Sequence, residues 1–129
     1  VALALWFFTA SDDATTSGPP AAVPGVAAKA PPPHADDVRR GNVVIILGDP
    51  ADEPRAQTLA REITGAPSED LRAAGQAVIV EVQQDDPRLR AGGHPTVLAY
   101  ARDRSFTTSS VADPNLRAFV EYWLGRAAG

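Results

Sequence analysis

The spacing of apolar and polar positions changes several times along this 129-residue chain, and each change predicts an element. Residues 42–47 (NVVIIL) form a continuous β-branched run, the pattern of a strand buried on both faces. The turn-rich segment GDPADEP follows, and Pro54 suits the first turn of a helix with Asp52 or Glu53 near its start. Ala56, Leu59, Ala60 and Ile63 give that helix an apolar face, and Gly65 and Pro67 end it. Ser68, Glu69 and Asp70 open a short helix closed by Gly75. Residues 77–82 (AVIVEV) read as a second buried strand, and residues 86–90 as a brief helical turn with Asp86 as its cap. Residues 96–101 (TVLAYA) and 105–110 (SFTTSS) read as two further strands. Too few residues separate them for a crossover helix, so they form an antiparallel hairpin. Asp113 then caps a C-terminal helix running to about Ala127, with Leu116, Phe119, Val120, Trp123 and Leu124 on one side.

The resulting order, β-α-α-β-α-β-β-α, is that of an α/β domain over residues 41–129 with a mixed four-stranded sheet. The chain before it has a different character. Residues 11–40 hold half of the twelve prolines and few large apolar side chains, so they are expected to run as an extended Pro/Ala-rich linker with polyproline II character. Residues 1–10 (VALALWFFTA) are apolar and uncharged. A bilayer span takes roughly 20 residues. The order of these ten, an aliphatic run passing into Trp6, Phe7 and Phe8 and then into Asp12 and Asp13, is that of a membrane helix leaving lipid. The end of a signal peptide and a segment packing on the domain itself are the alternatives. The acidic residues after the run, with the first basic residue at Lys29, put that side outside the cytoplasm. These features lead us to expect a single-pass inner-membrane anchor with a periplasmic domain.

Composition narrows the chemistry. A net charge of −4 lacks the basic footprint of nucleic-acid binding. The chain has no cysteine, which removes disulfides, thiolate metal ligands and thiol nucleophiles together.

The element order, ending in a hairpin and a terminal helix, resembles the thioredoxin-like fold, and two local segments strengthen the likeness. In that family a strand leads through a short loop into Cys-Gly-Pro-Cys at the start of a helix; here residues 43–47 lead into Asp52-Glu53-Pro54-Arg55, with the proline in place and Asp52 and Arg55 where the cysteines stand. The second segment, Gly93-His94-Pro95-Thr96, resembles the family's cis-proline followed by threonine and an apolar strand, so the resemblance implies a cis bond at Pro95. It covers about residues 41–127. Thiol–disulfide exchange needs a thiolate nucleophile and a resolving thiol, and neither Asp52 nor Arg55 supplies one.

Little other chemistry offers itself. His34 in the linker and His94 are the two histidines, and a shared metal site would require the linker to fold back. Asp49, Asp52 and Glu53 could offer oxygens to a hard cation, but turn-forming and helix-capping carboxylates are the simpler reading. No cofactor is implied, and no metal or catalytic residue is assigned. Trp123 fits the core stripe, whereas Tyr122 is a candidate contact residue. The reading is therefore a non-enzymatic accessory or scaffolding subunit of a larger membrane protein complex, respiratory or photosynthetic in class. Asp52, Glu53, Pro54, Arg55, His94, Pro95 and Tyr122 are its candidate partner contacts, and Trp6, Phe7 and Phe8 its membrane-interface residues. The alternative is a periplasmic chaperone or peptide-binding module that uses the groove near Pro95.

Overall fold

In the computed structural model, which describes residues 23–84, 89 and 96–126, the apolar run becomes an interior strand of a mixed sheet. Five strands make up that sheet: β1 (Val26–Ala27), β2 (Val43–Leu47), β3 (Val78–Val82), β4 (Val97–Ala101) and β5 (Arg104–Thr108). Among the described residues four α-helices accompany them, α1 (Pro32–Arg40), α2 (Glu53–Thr64), α3 (Glu69–Ala73) and α4 (Pro114–Trp123), with a 3₁₀ turn at Pro50–Asp52. The spatial order is β1-β5-β4-β2-β3. The β2–β3 pair is parallel, and the others are antiparallel. β4 and β5 form the expected hairpin, closed by the two residues Arg102 and Asp103, with Arg102 in the left-handed region at φ 52°.

Every residue of β2 is buried, so both faces of the sheet need cover. Val43, Ile45 and Leu47, with Val97, Ala99 and Ala101 of β4, face α2 and α4 and meet Ala56, Leu59, Leu116, Phe119, Val120 and Trp123. Phe119 lies parallel-displaced to Phe106 of β5, with ring centroids 6.0 Å apart. The alternate residues Val44 and Ile46, with Tyr100, face the other way and pack with Val38 of α1 and with Leu89. The sheet is thus covered on one side by α2 and α4 and on the other by α1.

This arrangement corrects two expectations. The sheet has five strands rather than four, because Val26 and Ala27 pair with Ser105 and Arg104 at its outer edge. The segment expected to run extended up to residue 40 instead supplies β1 and α1. Pro32 and Pro33 hold the backbone angle of the first helical turn at positions whose N–H groups have no intrahelical partner anyway. Arg39 and Arg40 stand in the last turn, where the helix dipole favours cations, and Gly41 at φ 117° closes the helix. β3 also differs from expectation: it is half-buried throughout, as befits a strand that has one neighbouring strand among the described residues. α4 ends at Trp123 rather than near Ala127, because Leu124 and Gly125 form a turn with Gly125 at φ 82°. The expected helical turn at 86–90 falls largely outside the described residues, and residues 1–22 wholly so. No described helix is long and apolar enough to cross a membrane.

Candidate functional site

The carboxyl end of the parallel strands is where open α/β sheets place their ligand crevices. Here β2 runs into Gly48, and the Asp49 carboxylate accepts a hydrogen bond from the Ala51 N–H at 2.9 Å, turning the chain into α2. The antiparallel hairpin returns β5 to the same end of the sheet, since Leu47 pairs with Val97 and Val97 with Thr108. α4 therefore starts beside the start of α2. Between the two helix beginnings lies an open crevice of about 510 Å³. Pro54, Arg55, Leu59 and Glu62 line one wall, and Val111 and Arg117 the other.

The charges on this surface are mostly engaged. Asp113 caps α4: one carboxylate oxygen accepts from the Asn115 N–H at 2.9 Å, the other from the Thr108 hydroxyl at 2.7 Å. The Thr108 hydrogen bond, followed by the Asn115 one, holds the Asp113 carboxyl below the ordinary carboxylate range. Arg117 donates to Glu121 one turn on at 3.3 Å and across to Glu62 of α2 at 2.9 Å, and both carboxylates raise its guanidinium pKa further. Arg55 is different. It is exposed on the crevice wall and has no hydrogen-bond or ion-pair partner among the described residues. The arrangement suits the capture of an apolar group with an acidic neighbour. Among the described residues it holds no paired nucleophile and base.

The structure brings together some of the residues singled out by sequence and separates others. Pro54 and Arg55 line the crevice, with Asp52 half-buried and Glu53 exposed on the turn just before them. His94 and Pro95, including the expected cis bond, lie outside the described residues. The next residue, Thr96, accepts from the Gly48 N–H at 3.0 Å, so the chain re-enters beside the same loop. Trp6, Phe7 and Phe8 also lie outside the described residues. Tyr122 sits at the far end of α4, near where Gly125 bonds back to Gly41 before β2. Its ring meets the edge of Trp123 and lies under the Arg126 guanidinium at 4.0 Å. Tyr122 is therefore not part of the crevice.

His34 is buried on α1 rather than held in a linker, with its Nε2 2.7 Å from the Glu81 carboxylate of β3. That approach lacks the alignment of a hydrogen bond. Among the described residues no group of three or more His, Asp or Glu side chains is gathered as a metal site. Sequence reasoning missed Val111, Glu62 and Arg117 as crevice residues. Glu62 comes from α2, Arg117 from α4 and Val111 from the turn before α4, and only the return of the hairpin brings them together. The chain matches no protein-family model, and no curated protein or solved structure matches it.

Proposed function

We propose that this chain is a non-enzymatic accessory or scaffolding subunit of a membrane protein complex, carrying a redox-inactive thioredoxin-like domain that docks through the crevice between α2 and α4. The parallel β2–β3 pair, the β4–β5 hairpin and the terminal helix α4 support the thioredoxin-like reading. The observation that carries the proposal is the crevice itself. Where a thioredoxin would present its thiols, this chain presents Pro54, an Arg55 with no partner among the described residues, and an apolar wall. A partner segment with an apolar side chain next to a carboxylate fits that surface. The folding of residues 26–40 onto the sheet adds a second support. With residues 1–10 as anchor, the stretch from 11 to 22 could reach at most about 40 Å, at roughly 3.3–3.6 Å per residue. The domain would then stay close to the membrane face and at high effective concentration for a membrane-embedded partner. The lack of Lys or Arg between the anchor and Lys29 supports a periplasmic location.

A tagged chain extracted in mild detergent tests this. One integral-membrane complex should co-purify at fixed ratio, and Arg55→Glu should release it while leaving the domain folded. Recovery of the chain alone sinks the proposal. Recovery with many unrelated clients would favour the peptide-binding alternative, which the apolar lining from Leu59 and Val111 also suits.

A further inference from the structure

The two edges of the sheet are treated differently. At one edge β5 is covered by β1, only two residues long, and such short edge strands offer little to a neighbour. At the other edge β3 runs for five residues, VIVEV, with β2 on one side and no strand on the other among the described residues.

The hydrogen bonds fix which groups that edge presents. Val43 N–H donates to the Ala77 carbonyl, and Gln83 N–H donates to the Leu47 carbonyl. Residues 77, 79, 81 and 83 therefore aim their backbone groups at β2, and Val78, Val80 and Val82 aim theirs outward. The side chains of these three valines pack against the core on the α2 face. Beside them runs a groove of about 380 Å³ between β3 and α2, lined by Ala60, Thr64, Pro67, Val78 and Val80 among others.

Exposed edges are ordinarily guarded by charge, proline or a bulge. β3 has no proline, and its single charged residue, Glu81, is turned aside. One of its oxygens lies 2.7 Å from His34 Nε2 of α1, and the other accepts from the Gln83 side chain at 3.2 Å.

We infer that a second copy of this chain pairs with β3, antiparallel about a two-fold axis through Val80, to make one continuous sheet across two molecules. The sequence of the strand is self-complementary in that register. Val80 faces its own copy, Val78 faces Val82, and every outward N–H and C=O of both strands finds a partner. On the opposite face Ile79 lies across from Glu81, so no two carboxylates stand directly opposed. This dimer does not depend on the crevice or on the proposed host complex.

The absence of cysteine makes the test clean. In the whole chain, kept in mild detergent, Val80→Cys should form a disulfide-linked dimer under mild oxidation, because directly opposed residues place their Cα atoms about 5.5 Å apart. Val78→Cys should not, since the two copies of residue 78 would stand roughly 13 Å apart along the strands at about 3.4 Å per residue. Sedimentation of the unmodified chain should give twice the mass of one chain. Val80→Pro removes an outward N–H and none of those bonded to β2, and should halve that mass while circular dichroism remains that of the folded domain. A monomer with Val80→Cys left reduced overturns the inference. So does a dimer that survives Val80→Pro, or crosslinking of Val78→Cys as readily as Val80→Cys.

Discussion

Arg72 of α3 grips Asp37 of α1 with two hydrogen bonds, Nε to Oδ1 at 3.1 Å and Nη2 to Oδ2 at 2.8 Å. The pair joins a helix from the proline-rich segment to the helix that leads into β3. Asn42 completes the joint: its side-chain N–H groups donate to the carbonyls of Asp37 and Arg72, and its oxygen accepts from the Ala77 N–H at 2.9 Å. Asp37 is buried, whereas Arg72 is about half exposed. The hydrogen bond and charge of Asp37 raise the Arg72 guanidinium pKa.

That asymmetry in burial makes the two single variants unequal. Arg72→Ala strands a buried carboxylate and is expected to cost about 2 kcal/mol, whereas Asp37→Asn leaves a guanidinium that can turn to solvent and should cost less. Urea denaturation of both variants checks the order. Equal losses would show that the pair acts as an ordinary surface ion pair.

Gly75 and Gly65 both adopt positive φ, 73° and 81°, in very different surroundings. A Cβ on Gly75 would stand 1.9 Å from the Arg40 carbonyl oxygen, while one on Gly65 would meet nothing within 4 Å. Gly65, at φ 81° and ψ −160°, sits in a region open almost only to glycine, so Gly65→Ala should cost that backbone strain alone, about 1–3 kcal/mol. Gly75→Ala also drives the turn after α3 away from the end of α1, and should lower stability by at least twice as much. Thermal melts of the two variants measure the difference directly.

The Asp113 cap gives the domain a pH signature. Its carboxyl titrates lower in the folded chain than in the unfolded one, so its stabilisation is complete above the unfolded value, near 3.9. That stabilisation fades as pH falls through the lower folded value. Asp113→Ala should lower the melting temperature by roughly 5 °C at neutral pH, with the gap closing in strong acid. A gap that stays constant down to pH 2 would contradict this role for the carboxylate.

Truncation separates the sequence boundary from the structural one. A chain starting at residue 41 loses α1 and uncovers Val44, Ile46 and Tyr100, which pack with Val38. Each such side chain contributes roughly 1.5–3 kcal/mol when buried, so this truncation should bind hydrophobic dyes and melt without cooperativity. A chain starting at residue 23 keeps β1 and α1 and should melt cooperatively. Cooperative melting of both would mean that α1 is dispensable.

Much of the layout was legible in the sequence because local pattern and tertiary need agree there. The run 43–47 is apolar at every position because both faces of β2 are covered. The 3.6-residue spacing of Leu116, Phe119, Val120 and Trp123 marks the buried side of α4, and Ser68, Asp113 and Gly65 act where caps and stops were expected. Pro54 and Arg55 were also identifiable, since their place after β2 is a matter of local order. Residues 32–40 were not read as a helix because Val38 is their sole large apolar residue. Nine residues so polar do not stay helical alone, and α1 persists because it closes the open face of the sheet and is clamped through Asp37 and Arg72. The crevice is likewise a tertiary product. Leu59, Glu62, Val111 and Arg117 share a surface only because the β4–β5 hairpin brings the start of α4 back beside α2. Sequence alone determined the order of strands and helices from β2 onward and what chemistry a cysteine-free chain forgoes. The tertiary structure decided which polar segment becomes a covering layer and which distant charges meet, since both depend on contacts that no local pattern encodes.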